Sequence, residues 1–264
     1  MQNFRPPRRG IPVPGLVWYN GRDGARCPRI PAICRQGGIA MTATFRYIHH
    51  ACFTVTAQGE TLICDPFLDG NPTGVTQQDL SVDYIFITHA HGDHLGCAYE
   101  LAKQCDALII TTAEIAAQAE EKGCRAHAMH LGGTYQFPFG KVRVTPAFHG
   151  SGIAGGHACG FIVDFHGAKF YYAGDTALFS DMQLLQKLDS FRYALLPIGG
   201  NFTMDPKDAA KAAAFLKAPV VLPIHYNTWP VIAQDPVPFQ REVEAAVPGT
   251  KVVLIQPGDT MEWD

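Results

Sequence analysis

The stretch VDYIFITHAHGDH, residues 82–94, joins an apolar run to a cluster of three histidines and an aspartate. The run is rich in β-branched and aromatic residues, which predicts a short strand directly before the cluster. A loop that follows a strand can aim alternate side chains at a common point. We therefore predict that His89 and His91 share one metal ion, while Asp93 and His94 face a second. A solvated histidine-rich turn is the plain alternative, and this dense spacing disfavours it.

Three further candidate ligands lie where apolar, strand-like runs end: His149, Asp175 and His225. Taken singly, each has an ordinary explanation as a hydrogen-bonded histidine or a turn residue. Taken with residues 89–94, they complete a set of five imidazoles and two carboxylates. Such a mixed nitrogen and oxygen set suits zinc, manganese or iron, whereas structural zinc sites usually include cysteine.

In order and spacing, from Met41 to the end of the chain, this set resembles the metallo-β-lactamase superfamily. The resemblance is strongest to uncharacterised metal-dependent hydrolases related to L-ascorbate-6-phosphate lactonase. It implies an α+β fold, a four-layer αββα sandwich. It also implies one metal ion held by His89, His91 and His149, a second held by Asp93, His94 and His225, and a bridging position for Asp175.

Two positions outside the ligand set also match the superfamily. Asp65 matches a carboxylate that lies behind the histidine-rich loop and orients a ligand, although an ordinary turn-capping aspartate is the alternative. The run YIHHACF, residues 47–53, resembles a Gly-His-Ala strand, with His49 where glycine is usual. His50 matches a histidine that points into the active site, so we predict that it binds substrate or transfers a proton. A histidine packed in the core is the competing interpretation.

Loops near the predicted site are candidates for the substrate pocket. Asn201 and Thr203 are predicted to line it, although turn geometry alone would also explain Asn201. Tyr226 and Trp229 either wall the cleft or pack in the core. The glycine-rich residues 150–156 follow a predicted ligand and are in a position to cover the site.

The length of 264 residues and the hydrophobic fraction of 47% fit one sizeable domain. Two batches of strands, each followed by helices, predict two sheets packed face to face with helices outside. Helices are predicted at 95–104, 113–122 and 205–217, and hairpin turns at 58–59 and 165–168. A strand is predicted to end at Thr88, and another to close the chain over residues 251–263.

The first forty residues differ from the rest of the chain. They are rich in proline, glycine and arginine and lack apolar periodicity, which predicts that residues 1–40 are disordered or loosely attached. The folded domain is predicted to span residues 41–264. A sharper hypothesis is that Met41 is the true initiator, and an arginine-rich targeting arm is the alternative.

The net charge of −3 comes without a long basic run. This disfavours nucleic acid and anionic membranes as partners and favours a small-molecule substrate. No long apolar stretch or signal peptide is evident, so a cytoplasmic location is expected, and a homo-oligomer stays possible. The eight cysteines form no C-x-x-C pair and are expected to be buried thiols, with Cys27 and Cys34 unassigned.

The predicted reaction is hydrolysis. A hydroxide that bridges two divalent ions, with zinc as the expected ion, would cleave an ester, lactone or phosphoester of a small molecule, while Asp93 or His50 handles the proton. Three alternatives remain: an iron-dependent oxygen or redox enzyme on the same fold, a nuclease of the tRNA-processing branch, and a non-catalytic metal-binding module. The nuclease is disfavoured because a basic exosite is not evident.

Overall fold

Two β-sheets lie face to face at the centre of the molecule, and helices cover their outer sides. The computed structural model describes residues 42–264. This arrangement confirms the predicted α+β fold with αββα layers. The predictions for residues 1–40, for a domain start at Met41, and for Cys27 and Cys34 lie outside the described residues.

Within residues 42–264 there are fourteen strands. In chain order they are β1 (Ala43–His49), β2 (Cys52–Ala57), β3 (Glu60–Cys64), β4 (Tyr84–Phe86), β5 (Leu108–Thr112), β6 (Arg125–Met129), β7 (Thr134–Phe137), β8 (Gly140–Pro146), β9 (Cys159–Phe165), β10 (Ala168–Tyr172), β11 (Tyr193–Pro197), β12 (Val220–Ile224), β13 (Lys251–Val252) and β14 (Thr260–Trp263).

The same residues contain six α-helices and two short 3₁₀ turns. The helices are α1 (Gly92–Leu95), α2 (Ala98–Cys105), α3 (Ala113–Glu121), α4 (Met182–Leu188), α5 (Pro206–Leu216) and α6 (Pro236–Ala246). The 3₁₀ turns are Gln77–Asp79 and Pro230–Ile232.

Each sheet has seven strands. The first has the order β14-β1-β2-β3-β4-β5-β6, and the second has the order β13-β12-β11-β10-β9-β8-β7. In the first sheet β3, β4, β5 and β6 run parallel, and in the second sheet β10, β11, β12 and β13 do. Because the carboxyl ends of parallel strands meet at one edge, loops that follow them come together there.

Aromatic side chains fill the space between the two sheets. Trp263, on an edge strand of the first sheet, stacks on Phe45 at 4.7 Å and on Tyr193 of the second sheet at 4.2 Å between ring centroids. Phe53 meets Phe170 of the second sheet edge-on at 6.0 Å. Full burial of each such ring contributes roughly 1.5–3 kcal/mol, so this layer holds the sheets together.

Helices complete the outer layers. Apolar residues of α2 and α3 pack on the outer face of the first sheet, and those of α4, α5 and α6 pack on the second. The start of α5 is as predicted: the Asp205 side chain accepts a hydrogen bond from Asp208 N, and Pro206 occupies the first turn.

Several element boundaries differ from the predictions. The helix predicted at 95–104 is interrupted at Gly96, which has φ +44° and where a Cβ would lie 2.2 Å from Pro66 O, so α1 ends there and α2 starts at Ala98. The strand predicted to end at Thr88 ends at Phe86. The closing strand is two strands in different sheets, β13 and β14.

Four elements were not predicted: β6, β7, α4 and α6. β6 has the sequence RAHAM, whose short polar pattern gives little strand signal, although it pairs with β5 along five residues. Tertiary pairing therefore outweighs local propensity at this position.

None of the helices in the described part of the chain is both long enough and apolar enough to span a membrane. Its cysteines are free: Cys52, Cys64, Cys124 and Cys159 are buried, while Cys97 and Cys105 are partly exposed. Burial raises the pKa of the Cys52, Cys64 and Cys159 thiols well above their usual value, so these thiols stay protonated.

Candidate metal centre

The predicted ligands lie at the ends of strands from both sheets. The histidine-rich loop follows β4 of the first sheet, and the other candidates follow strands of the second. His149 comes after β8, Asp175 after β10 and His225 after β12. The packing of the two sheets brings all seven residues to one edge of the sandwich.

A first cluster consists of His89, His91 and His149. Nδ1 of His91 lies 3.0 Å from Nε2 of His89 and 3.2 Å from Nε2 of His149. Three ring nitrogens therefore point to one small volume. This grouping is the one predicted for the first metal ion.

A second cluster consists of Asp93, His94 and His225 together with His50. Oδ2 of Asp93 lies 3.9 Å from Nε2 of His94 and 3.3 Å from Nε2 of His50. The first three residues are the predicted ligands of the second ion. His50 was predicted only as a residue of the active site, and the structure adds it to this potential ligand group.

Asp175 lies between the two clusters. Its Oδ2 atom is 3.6 Å from Nε2 of His149 in the first cluster. The same oxygen is 3.3 Å from Nε2 of His94 and 3.1 Å from Nε2 of His225 in the second. Although burial opposes ionisation, the neighbouring His94 and His225 hold the pKa of Asp175 well below its usual value. A charged carboxylate therefore sits where it can reach both clusters.

Four buried polar atoms of this site make no hydrogen bond of ordinary geometry within residues 42–264, although Oδ2 of Asp175 lies close to two of them. They are Nε2 of His94, Oδ1 of Asp175, and Nδ1 and Nε2 of His225. Buried polar atoms in proteins are almost always hydrogen-bonded, so this concentration calls for another partner. Imidazole and carboxylate groups are ligands of divalent transition metals, and a bound ion would satisfy such atoms. The residues present therefore fit a metal centre.

Asp65 supports the second cluster from behind. Its Oδ2 accepts hydrogen bonds from Nδ1 of His94 at 2.7 Å, from Thr88 Oγ1 at 2.6 Å and from the hydroxyl of Tyr172. Its Oδ1 accepts from Thr88 N at 2.8 Å. Burial and the charge of Asp65 raise the pKa of Tyr172, which keeps that hydroxyl a donor. Because Asp65 accepts from Nδ1 of His94, Nε2 is the ring atom that faces the cluster, and it would be the atom to bind a metal ion.

His50 is buried in the turn between β1 and β2 and has φ +56°. Its Nδ1 contacts Thr228 Oγ1 at 2.8 Å, and its ring lies 4.0 Å from that of His225. Burial lowers the pKa of His50 to about 4, which keeps the ring neutral at pH 7. The neighbouring His49 differs: its Nε2 donates to Phe67 O at 2.9 Å, and it belongs to neither cluster.

A cleft opens above the two clusters. It is lined by three histidines, two aspartates and two aromatic residues: His91, His149, His225, Asp93, Asp175, Phe202 and Trp229. Trp229 thus walls the cleft, while Tyr226 packs in the outer core of the second sheet. In the loop that contains Asn201 and Thr203, the residue that lines this cleft is Phe202, which stands between them.

Phe202 was missed by the sequence analysis, although a signal was present. It stands in the glycine and asparagine turn GGNFT, where a core strand cannot continue, so a large aromatic residue there is expected on the surface. Thr228 was missed too, because a contact between residues 178 positions apart leaves no local signal.

The glycine-rich residues 150–156 pack against the histidine-rich loop. Ala90 N donates to Ser151 O at 2.8 Å. A Cβ on Gly152, which has φ +69°, would lie 2.6 Å from His91 N. Glycine at this position permits the close approach that holds the loop of the first cluster in place.

The chain is similar in sequence to known proteins along most of its length. The family model of the beta-lactamase superfamily domain matches residues 60–226. A metal-dependent hydrolase of Natranaerobius thermophilus is 52% identical over 219 residues, which cover 83% of this chain and 98% of that protein. One from Enterococcus faecalis is 47% identical over 221 residues, with 80% and 96% coverage.

A solved structure is also similar to this chain in both fold and sequence. Igni18, a metallo hydrolase from the hyperthermophilic archaeon Ignicoccus hospitalis, superposes with a TM-score of 0.79 and 36% sequence identity. The match covers 84% of this chain and 99% of the archaeal protein. The match therefore spans nearly the whole of that protein.

Proposed function

Since this chain belongs to the beta-lactamase superfamily and is a metal-dependent hydrolase, we propose that its two clusters hold two divalent metal ions. We further propose that it cleaves an ester, lactone or phosphoester of a small molecule. Zinc is the ion that a set of histidine and carboxylate ligands favours, and manganese and iron are the alternatives.

The position of Asp175 is the observation that carries this proposal. One carboxylate oxygen lies within 3.1–3.6 Å of ring nitrogens from both clusters. A single carboxylate that serves two sites is an arrangement that suits a pair of ions. The unpartnered atoms of His94 and His225 support the same assignment.

Bound metal ions would supply two things: a water molecule of lowered pKa and a positive charge that polarises the scissile bond. Side chains of the site would then transfer the proton and bind the substrate. Asp93 is 27% exposed at its side chain and faces the cleft, so it can hold a proton taken from the attacking water. His50 is within 3.3 Å of Asp93 and, being neutral, can accept that proton or bind the substrate.

Metal analysis of the purified protein tests the proposal directly. We expect about two equivalents of zinc or manganese per chain, and metal-dependent cleavage in a panel of esters, lactones and phosphoesters. A protein loaded only with iron that consumes oxygen would instead support the redox alternative. Metal without turnover of any substrate class would support the non-catalytic alternative.

Substitution of the ligands sharpens the test. Asp175→Ala should abolish activity and lower metal content at both clusters, because it removes the shared oxygen. His91→Ala should lower metal content mainly at the first cluster. His130→Ala is the matched control, since His130 is exposed and lies outside both clusters. Full metal occupancy in the Asp175 and His91 variants would refute the ligand assignment.

A further inference from the structure

Two aromatic side chains stand exposed at the mouth of the metal cleft. Phe202 is 54% exposed and Trp229 is 38% exposed, whereas most aromatic side chains of the described residues are buried. Both line the cavity that contains Asp93 and Asp175. Exposed aromatic side chains grouped at a concave site are typical of surfaces that bind an apolar group.

Phe202 is held in position by its loop. Phe202 N donates to Gly200 O at 2.6 Å, and Gly200 N donates to Met204 O at 3.0 Å. Met204 N in turn donates to Thr176 O, beside Asp175, at 3.0 Å. The side chain is therefore presented to the cleft by a turn that is tied to the metal centre.

Trp229 is held by a different set of contacts. Its ring meets that of His50 edge-on at 4.8 Å and lies 6.1 Å from Phe67. Its carbonyl accepts a hydrogen bond from Ile232 N at 3.0 Å, and Pro230 follows it directly. Because the turn that carries Phe202 and the ring of Trp229 are both held in place, binding orders little more than the Phe202 side chain.

The charges of the cleft point to an uncharged substrate. Among residues 42–264, neither lysine nor arginine lines the cleft, and the same holds for the adjoining cavity behind His50 and Thr228. Phosphate and carboxylate groups are usually bound by arginine or lysine. A substituent of the substrate that lies away from the metal ions therefore meets no cationic side chain among the cleft-lining residues.

We infer that the substrate is an uncharged carbonyl ester or lactone that carries an apolar group, and that Phe202 and Trp229 bind this group. The inference rests on the proposed hydrolase function and narrows it, because it selects carbonyl over phosphoryl substrates. In the reaction the water oxygen forms a bond to the acyl carbon, the acyl–oxygen bond breaks, and the released alkoxide takes a proton. Phe202 and Trp229 are specificity residues and take no part in these bond changes.

A matched series of ethyl esters tests the inference with the metal-loaded protein. Ethyl phenylacetate and ethyl acetate differ in the apolar group, and ethyl butyrate and monoethyl succinate differ in charge. Acid release is followed with a pH indicator, and monoethyl phosphate is assayed by phosphate release. We expect kcat/KM to be at least about tenfold higher for ethyl phenylacetate than for ethyl acetate, and about tenfold lower for both anions than for ethyl butyrate.

Substitutions of Phe202 and Trp229 test whether these two residues cause the preference for a substrate with an apolar group. Phe202→Ala and Trp229→Ala should each lower kcat/KM for ethyl phenylacetate by about tenfold or more, mainly through KM, and change that for ethyl acetate by less than about threefold. Phe202→Leu should restore part of the preference. Tyr135→Ala is the control, because Tyr135 is 48% exposed but lies on β7, outside the cleft. Preference for an anionic substrate, or equal losses with both esters, would overturn the inference.

A binding experiment distinguishes a failure of this inference from a failure of the proposed hydrolase function. Saturation-transfer NMR with phenylacetamide, acetamide and phenylacetate reports binding without turnover. We expect a signal from phenylacetamide alone, and its loss in both alanine variants. If the metal-loaded protein cleaves none of the esters but binds phenylacetamide in this way, the proposed reaction fails and the cleft inference stands. If phenylacetamide does not bind, the cleft inference fails whatever the activity.

Discussion

The two metal clusters differ in how the fold supports them. In the second cluster, His94 is fully buried and donates to Asp65, which Thr88 and Tyr172 hold in turn, and His50 contacts Thr228. In the first cluster, only His89 has such support, through a 3.0 Å contact between its Nδ1 and Thr88 Oγ1.

The remaining two residues of the first cluster face the cleft. His91 and His149 are partly exposed. Within residues 42–264, Nε2 of His91 and Nδ1 of His149, the ring nitrogens that point away from the first cluster, make no hydrogen bond. Ligands that are oriented by hydrogen bonds bind metal more tightly than ligands that are free to turn. In the second cluster His225 also lacks such a partner and, like Asp93, lines the cleft, so the difference between the clusters rests on the buried pair of His94 and Asp65. We therefore expect the second cluster to bind its ion more tightly than the first.

Among residues outside the seven proposed metal ligands, loss of His50 is expected to have the largest effect on activity. His50→Gln should lower kcat by about 10²–10⁴-fold if the ring transfers a proton, with metal content at the second cluster kept. Kinetics and metal analysis of the same sample measure both. His49→Gln is a matched control, because this adjacent buried histidine donates to Phe67 O and lies outside the clusters. Loss of one metal equivalent in His50→Gln would instead make His50 a ligand of the second ion.

Loss of the negative charge of Asp65, which lies behind His94 of the second cluster, should have the next largest effect. Asp65→Asn should weaken metal binding at the second cluster by about 10–100-fold, because it disturbs the proton position on His94. It should also lower the free energy of unfolding, since four buried donor groups lose a charged acceptor. Metal titration and urea unfolding measure the two effects. Asp83→Asn is the control, as Asp83 accepts from Thr61 N in the same sheet without touching a histidine. Equal weakening of both clusters would contradict the comparison.

Chelation should separate the clusters in the wild-type protein. On titration with EDTA we expect one equivalent of metal to leave first, and the second to be bound about tenfold more tightly. Metal analysis after each chelator step gives the stoichiometry. In the His91→Ala variant the weakly bound equivalent should be missing, which assigns it to the first cluster. Simultaneous loss of both equivalents would show that the supporting hydrogen bonds do not set affinity.

The smallest expected effect concerns Thr228. Thr228→Val keeps the shape of the side chain but removes the contact with Nδ1 of His50, and should lower kcat/KM by about two- to tenfold. Steady-state kinetics measure this change, and metal content should not change. Thr228→Ser, which retains the hydroxyl, should restore most of the activity. An equal loss with serine would mean that the threonine methyl group, and not the hydrogen bond, matters.

Much of the site could be predicted because metal ligands follow strands. His89, His91, Asp93 and His94 stand together in sequence, and the runs before His149, Asp175 and His225 are apolar. The structure groups His89, His91 and His149, and it groups Asp93, His94 and His225 together with His50, while Asp175 groups with His89 and His94. The assignment of these residues as metal ligands stays a prediction. The αββα layers could also be predicted, because strand and helix periodicities are local properties of the chain. Elements with weak local patterns, such as β6 and α6, could not be predicted.

The amino-acid sequence by itself determined which side chains carry the chemistry and that each follows a strand. Only the tertiary structure decided their distances: Asp175 lies between two clusters, His50 lies beside Asp93, and Phe202 lines the same cleft as Trp229. The physical reason is that these contacts join segments far apart in the chain. Their geometry is set by the packing of the two sheets against each other, which no local pattern encodes.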